Sequence, residues 1–555
     1  MGKFCDIKTR NELADFLGIP RSTLSYLLFI KKPDSQYQEF EIPKKRGGTR
    51  KICAPSEELK RVQRRLAAAL SMYRESLLEQ EKRQRVLSHG FEKGKSIITN
   101  AKIHRNKRFV LNLDLEDFFP SFHFGRVVGY FEKNRDFRLP HEAAVAIAQL
   151  TCFQGRLPQG APTSPVVANL ICGILDIRLL KLARCYKLDY TRYADDLTFS
   201  TNDRAFLENC PRFLSDITAE LQRAGFTVNQ KKTRLQYRDS RQEVTGLIVN
   251  KKVHVSQDYY KRTRAMAHHL YTQNDCTIDG VPASLSQLEG RFSFIDMLER
   301  YNNSGDGSKH GPYNLNAREE QYRAFLFYRY FFANEKPLIL TEGKTDILYL
   351  KAAIKALYPN YPGLVTLDSG VFHFHVSFFR RSRRWQYLFG MSLDGADAMK
   401  TLYEKFFTGK QPSNYLERFS KLCGRTPQHP VIFLYDNETV SDRPLKKFLN
   451  SAKTRSPVDT ARLQADLHVQ LIPKGNLHLM TNPLINGKPE CEIEDLFDAN
   501  TLAHQINGRS FTRDDKYDPK LFYGKDEFSK YVFANYKTID FSNFRPLLDA
   551  LNSLI

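Results

Sequence analysis

The chain contains no C-x-x-C pair. Its nine cysteines, Cys5, Cys53, Cys152, Cys172, Cys185, Cys210, Cys276, Cys423 and Cys491, are scattered and odd in number. That argues against a disulfide framework or a zinc ribbon and fits reduced thiols. No apolar run approaches the ~18–20 residues needed to span a bilayer. The opening "MGKFCDIKTR" lacks the apolar core of a secretory signal. A cytoplasmic protein without a membrane partner is expected. Acidic residues are also short: 62 Asp+Glu stand against 84 Lys+Arg, a formal charge of +22. The excess is larger before residue 310 than after it, and it points to a polyanion, nucleic acid ahead of membrane. What is present is a 41% hydrophobic, 12% aromatic composition over 555 residues. This suits folded domains, and the length requires two or more of them.

"TRNELADFLGIPRSTLSYLLF" reads as two short helices joined at Gly18-Ile19-Pro20, with Leu13, Phe16, Leu17, Leu24, Leu27 and Leu28 on the apolar face. We read it as a packing element ahead of a groove-entering helix-turn-helix. "SEELKRVQRRLAAALSMYRESLLEQEKRQR" is a long basic helix. "RFVLNLDLEDFF" alternates like a strand. Ser164–Ala183 is an apolar helix with Ser164 as its N-cap and Pro165 in its first turn. A helix over about 205–224 and a further strand complete a mixed α/β unit. "RYNNSGDGSKHGPYNLN" (Arg300–Asn316), rich in Gly, Asn and Ser, reads as the linker, with the boundary region over 300–334. Beyond it, "EKPLILTEGKTDILYLKAAIKAL", "HPVIFLYDNET" and "HVQLIPKGN" suggest strands alternating with helices around a parallel sheet.

Asp114 lies in the first strand, between Leu113 and Leu115. Asp195 and Asp196 lie at a tight turn in "TRYADDLTFS". Three buried carboxylates are costly unless a cation holds them. Mg²⁺ accepts one or two carboxylates plus phosphate oxygens, and two such ions serve phosphoryl transfer.

The sequence around these acids resembles the reverse transcriptases. "YADD" is similar to their metal-binding turn, "FVLNLDLEDFFPSF" to the strand of the first aspartate, and "LPQGAPTSPVVANLIC" to their Q-G-x-P-x-S-P loop and helix. "FTVNQKKTRL", "EVTGLIVN", "RKICAPSEELKRVQRRL" and "SHGFEKGKSIITNAKIH" match four more blocks in order. The resemblance implies a right-hand fold: fingers about 1–110, palm about 111–248, thumb about 249–299. It implies that Asp114 and Asp195 hold two Mg²⁺ ions with Asp196 assisting, Mn²⁺ being an acceptable substitute. Phe119 matches the gate against a 2′-hydroxyl. Gln159 and Gly160 line the nucleotide and template channel. Lys231 or Lys232 meets phosphate, and Arg50 or Lys51 the triphosphate. "NAKIH" (Asn100, Ala101, His104) and "VTG" (Val244, Thr245, Gly246) fit two signatures of bacterial retron enzymes, which favours that branch over intron-encoded or diversity-generating ones. The branch implies RNA recognition by those residues. It also implies a cognate noncoding RNA as template and primer, and a branched RNA-linked single-stranded DNA as product. "SQDYYKRTRAMAHHLY" then belongs to the RNA-reading thumb, an ordinary amphipathic helix being the alternative.

Glu342 follows one C-terminal strand, with Gly343 permitting a sharp turn. Asp436 and Glu438 follow another. Acids at the carboxyl ends of parallel strands occupy the usual active-site position of α/β folds. This set resembles the Toprim fold, a Rossmann-like domain over 335–555 with its C-terminal extension. "CEIEDLF" (Cys491–Phe497) resembles a later acidic block of its nuclease branch. The resemblance implies Glu342 as general acid/base, Asp436 and Glu438 on one or two Mg²⁺, and Asp346, Glu494 and Asp495 as further candidates. Glu438 departs from the usual aspartate, which puts metal count and rate in doubt. A topoisomerase needs a separate cleavage domain and a primase needs zinc, so a nuclease is favoured. In "FHFHVSFFRRSRRWQYLF", Arg383 and Trp385 are candidates for a single-strand platform or a domain interface, and Lys474 for a transition-state cation. The whole chain resembles retron reverse transcriptases fused to a Toprim effector for defence against phage. A non-catalytic Toprim scaffold, an intron-like reverse transcriptase, and a nucleic-acid binder using the N-terminal helices are the other readings. The nuclease substrate (DNA, RNA or tRNA), the trigger and any homo-oligomer stay open.

Overall fold

The computed structural model describes residues 4–555 apart from 45–46, 81–85, 279, 305–310, 394, 396, 411, 454, 456, 474 and 515. Two compact units emerge, Met1–Ser256 and Gln257–Ile555.

The first unit opens with α1 (Arg10–Phe16) and α2 (Arg21–Ser25), the latter running into a π-helical turn over Tyr26–Ile30. A hairpin of β1 (Tyr37–Pro43) and β2 (Thr49–Pro55) precedes α3 (Glu57–Gln80) and α4 (Ile97–Ile103). Then come β3 (Phe109–Asp114), α5 (Ser164–Cys185), β4 (Asp189–Tyr193), β5 (Asp196–Thr201), β6 (Arg234–Tyr237) and a minimal hairpin of β7 (Glu243–Val244) and β8 (Leu247–Ile248). Strands β4, β5, β3 and β6, in that order, form an antiparallel sheet. Leu13, Leu17, Leu24, Leu27 and Leu28 join Leu66, Leu113 and Leu197 in one core, so the N-terminal helices serve packing. Helix α5 is capped differently from expectation. Thr163 holds the N-cap position without a side-chain bond, and Ser164 is the first helical residue, its hydroxyl donating to Pro158 O at 2.7 Å.

The second unit starts with α6 (Gln257–Gln273), α7 (Leu285–Asn303) and α8 (Ala317–Phe327). Next come β9 (Leu338–Thr341), α9 (Asp346–Ala356), β10 (Ser377–Phe378), α10 (Arg383–Phe389), β11 (Val431–Tyr435), β12 (His468–Gln470), β13 (Leu477–Thr481) and α11 (Lys525–Ala534). The sheet runs β10–β9–β11–β13–β12, parallel except for the antiparallel edge strand β12. "HVQLIPKGN" therefore supplies that edge, and Leu477–Thr481, absent from the sequence reading, supplies the parallel neighbour of β11. The strands alternate between two cores. Leu338, Leu340, Val431, Phe433 and Leu477 face one; Ile339, Ile432, Leu434 and Met480 face the other. Burial on both faces explains why β11 reads as an unbroken apolar run.

The division differs from the expected linker. α6 and α7, expected to be a thumb, share a core with the C-terminal sheet through Leu270, Tyr271, Leu288 and Phe292. Within the 300–334 region, residues 317–327 are helical with Tyr322, Phe325 and Phe327 buried; residues 305–310 lie outside the described set.

Candidate active sites

In the first unit the ladder sets the acids. Asp114 pairs with Asp196 as the last register position of β3 with β5. Leu115 N–H donates to Asp195 O at 3.1 Å, so the turn is stitched to the chain just past Asp114. Ala194 takes φ +56°, closing the two-residue link between β4 and β5. Burial raises the Asp195 carboxyl, with Asp114 adding to it while Lys232 and Arg50 oppose. Burial, then Asp195 and Asp114, push Asp196 up to about 7. Lys232 Nζ bonds both oxygens of Asp114 at 3.0 Å. This lysine, expected on phosphate, is here the resident cation of the site. Lys231 beside it is exposed.

Residues unnoticed in the sequence hold the turn. Arg192, fully buried, donates twice to Asp176 of α5 at 2.8 Å and to Ala194 O at 3.2 Å. Tyr190 O–H also donates to Asp176. A guanidinium buried this way must keep its partner, and removing one side of such a pair costs about 3–5 kcal/mol. The only signal was an arginine interrupting an apolar flank two positions before the turn. Gly90 presses on the same turn: a Cβ there would stand 2.7 Å from Ala194 N.

Asn100, Ala101 and His104, expected to take part in RNA recognition, are wholly buried. His104 bridges Ser200 Oγ at 2.8 Å and Thr191 Oγ1 at 2.7 Å, while Thr191 donates to Asn100 Oδ1 at 2.6 Å. The signature ties α4 to both strands of the aspartate hairpin. Burial holds the imidazole neutral, its pKa down to about 3. Val244 is likewise buried, Thr245 is half-buried, and only Gly246, at φ +82°, is exposed at the β7–β8 turn. Phe119 is half-buried beside Phe118 and Phe91. Cys53 N–H of β2 donates to Gln159 O at 2.8 Å, and Gly160, at φ +127°, would place a Cβ 2.7 Å from Cys53 O. That glycine lets the loop lie against the β1–β2 hairpin. Lys51 pairs with Glu39 at 2.8 Å, leaving Arg50 as the hairpin cation felt by Asp195.

In the second unit Glu342 and Asp436 follow adjacent parallel strands, β9 and β11. Asp436 N–H donates to Glu342 Oε1 at 3.0 Å. Asp436 Oδ1 accepts from Asn482 Nδ2 at 2.7 Å and Ile493 N–H at 2.8 Å. Asn437 and Cys491 exchange backbone bonds, which brings "CEIEDLF" to the strand end. Asp346 opens α9 and accepts from Gly343 N–H at 2.8 Å. Burial, then Asp346 and Glu438, raise Glu342 to about 8, against Asp436 N–H and Arg381. Burial and Glu494 raise Asp346 to about 6. Asp436 lies well above its ordinary range through burial, then Glu342 and Asp346. Lys525 of α11, missed in the sequence, reaches Glu494 at 3.2 Å and Glu492 at 3.3 Å. Its signal was only a charged residue outside the motif blocks. Glu438 is buried, with Arg443 at 3.5 Å. Asp495 pairs instead with Lys488 and Arg513, both at 3.0 Å. Lys474 lies outside the described residues.

Of the two aromatic-basic segments, the one around Trp385 is corrected. Trp385 is 7% exposed and packs on Phe379, Phe389, Phe331 and Tyr330, so it is core rather than a stacking platform. Arg383 is exposed, whereas Arg381 donates to Thr341 O and Glu342 O and so braces the end of β9. In α6, Tyr259 and Tyr260 lie under Arg291 and Arg318 at 4.0 and 5.0 Å, while Lys261 and Arg264 are exposed.

Among the described residues no three Asp, Glu, His or Cys side chains converge on a ready metal position. The donor chemistry nonetheless fits a hard divalent cation. Both sites offer carboxylate oxygens, and the burial, with neighbouring acids adding to it, that raises Asp196 and Glu342 is what such an ion offsets. Asp114, Asp195 and Asp196 would hold it in the first unit; Glu342, Asp436 and Glu438 in the second.

The first site sets three carboxylates on an antiparallel sheet in a strand–helix–hairpin order, and the segment that carries it matches the reverse transcriptases. Residues 42–255 match the family model described as reverse transcriptase (RNA-dependent DNA polymerase). The chain is 36% identical over 312 residues to the Retron Mx65 reverse transcriptase of Myxococcus xanthus, covering 52% of this chain and 68% of that protein. It is also 36% identical over 293 residues to the Retron Ec86 reverse transcriptase of Escherichia coli, covering 51% and 84%. The chain belongs to the retron reverse transcriptases. Among solved structures, a Candida albicans telomerase aligns at 12% identity and TM-score 0.32 over 53% of this chain and 60% of that one, too loosely to bear on the argument.

Proposed function

We propose that the first unit copies a cognate noncoding RNA into a branched, RNA-linked single-stranded DNA, and that the second is a metal-dependent Toprim-type nuclease acting as an anti-phage effector. Membership of the retron family supports an RNA-directed DNA polymerase. The observation that carries the polymerase site is the Asp114–Asp196 register with Asp195 stitched to Leu115. When bound, divalent metal supplies charge neutralisation at the attacking and leaving oxygens. The chain's own part is to fix the carboxylates, through Arg192, His104 and Gly90, and to bring Lys232 and Arg50 to the same place. For the second unit, the carrying observation is Glu342 and Asp436 on neighbouring parallel strand ends, joined by a 3.0 Å bond. Glu342, raised to about 8, suits proton transfer near neutrality. The Lys525 and Arg443 contacts favour one alternative, a scaffold whose acids are already neutralised.

Purifying the protein from cells carrying its native locus tests the first half. The expected result is nucleic acid whose gel mobility shifts both with RNase and with debranching treatment. RNA alone, or none, would sink it. Phage protection tests the second half. Loss in both Asp195→Asn and Glu342→Gln is expected; full protection in Glu342→Gln would refute the effector.

A further inference from the structure

One surface of the first unit is used by neither acidic site. A cavity of about 540 Å³ opens between α2, with its π-helical turn, and α3. That falls within the range of about 300–1,000 Å³ that takes small organic ligands. Ile19, Leu27 and Val62 line it with apolar surface, Tyr26 adds an aromatic ring, and Arg61 and Arg65 add cations. Tyr26 is 45% exposed, and Phe29 and Ile30 beside it are 49% and 72% exposed. The leucines of the same segment already fill the core; Phe29 lies under Arg10 at 4.7 Å and Tyr26 more loosely under Lys31 at 5.6 Å, which leaves the second face of the Tyr26 ring to the opening.

Charge selects the occupant. The acids nearby are engaged: Glu58 by Lys31, Glu57 by Lys60, Asp15 by Arg21. Arg65 donates to Gly18 O. Arg61 and Arg64, both exposed and one turn apart on α3, form no ion pair among the described residues. Ring and guanidinium groups at one opening match a base and its phosphates, because every base offers a face to stack and every linkage a charge. A purely apolar partner would leave the arginines unanswered.

We propose that this cavity is a subsite for single-stranded nucleic acid, in which a base enters against Tyr26 and flanking phosphates meet Arg61 of its lining and the exposed Arg64, outside the lining and one turn further along α3. None of its residues belongs to the carboxylate site, so the inference stands apart from the polymerase reading.

Photocrosslinking of the full chain tests it. RNA and DNA oligomers of about 12 nucleotides, a length within the range single-strand sites occupy, would carry 5-iodouracil. Irradiation, tryptic digestion and mass spectrometry would follow. The expected adduct lies on the Ser22–Lys31 peptide, with RNA, DNA or both; whichever reacts names the source. Arg61→Gln with Arg64→Gln should lower that adduct roughly tenfold, the scale of losing two phosphate anchors. Tyr26→Leu should lower it similarly. Circular dichroism melting matched to the parent establishes that the variants fold. Absence of the adduct with both oligomers, or an adduct unchanged in the arginine variant, overturns the proposal and leaves the patch to a protein partner.

Discussion

The two acidic sites reach similar chemistry by opposite backbone logic. In the first unit an antiparallel ladder sets Asp114 against Asp196, and a strained turn presents Asp195. Position follows from register, so the support lies in side chains that lock one hairpin: Arg192, His104 and their partners. In the second unit Glu342 and Asp436 sit on parallel neighbours reached through long crossovers. Position there follows from sheet order, and support comes from segments delivered late in the chain, with Asn482, Ile493, Glu494 and Lys525 of α11 brought to the strand ends. The hairpin site draws on residues from 90 to 232, and its acids were legible as motifs. The strand-end site draws on residues from 342 to 525 and was legible only in part.

Four experiments would break or sharpen this contrast. Asp195→Asn should reduce deoxynucleotide incorporation by on the order of 10³-fold, the scale of transition-state electrostatics, while Glu342→Gln leaves incorporation intact; a primer-extension assay reads both. Next is the brace. Arg192→Met should lower stability by about 3–5 kcal/mol by stranding the Asp176 charge. Adding Asp176→Leu should recover much of that loss in urea unfolding. Lys232→Met frees Asp114 of its cation. It should lower the Mg²⁺ concentration for half-maximal incorporation by roughly fivefold, as expected for one part-exposed ion pair of about 1 kcal/mol.

The smallest effect is in pH. His104 has its folded pKa depressed to about 3, below the unfolded value near 6.5. Between those values the unfolded chain binds the extra proton. The stability this group contributes is therefore complete above about pH 6.5 and lost as pH falls towards 3. His104→Gln should flatten the decline in thermal midpoint between pH 7 and pH 5; an unchanged slope would contradict the buried neutral imidazole.

Much of the fold was legible where one period dominates. The alternation of β3, the apolar run of β11 and the helix over Ser164–Cys185 all emerge where the pattern puts them. Leu477–Thr481 escaped because His478 and Thr481 dilute a short run, and only its place between β11 and β12 makes it a strand. The catalytic-type acids were readable from motif; their supporting groups were not. Arg192 and His104 are polar residues whose partners lie on other elements, and a single sequence does not say which polar residue the fold will bury. Trp385 failed the other way: basic neighbours suggested a surface, but helical phase turns the indole inward while Arg383 stays out.

The shared core of α6, α7 and the C-terminal sheet bears on how this chain can be cut and rejoined. Ending it near residue 310 would strip the covering from Leu270, Tyr271, Leu288 and Phe292. Such a fragment would carry a raw apolar face and a tendency to clump. Beginning a C-terminal fragment at residue 335 would tear the same seam from the other side. A breakpoint at Ser256 would keep these residues together with the sheet they cover.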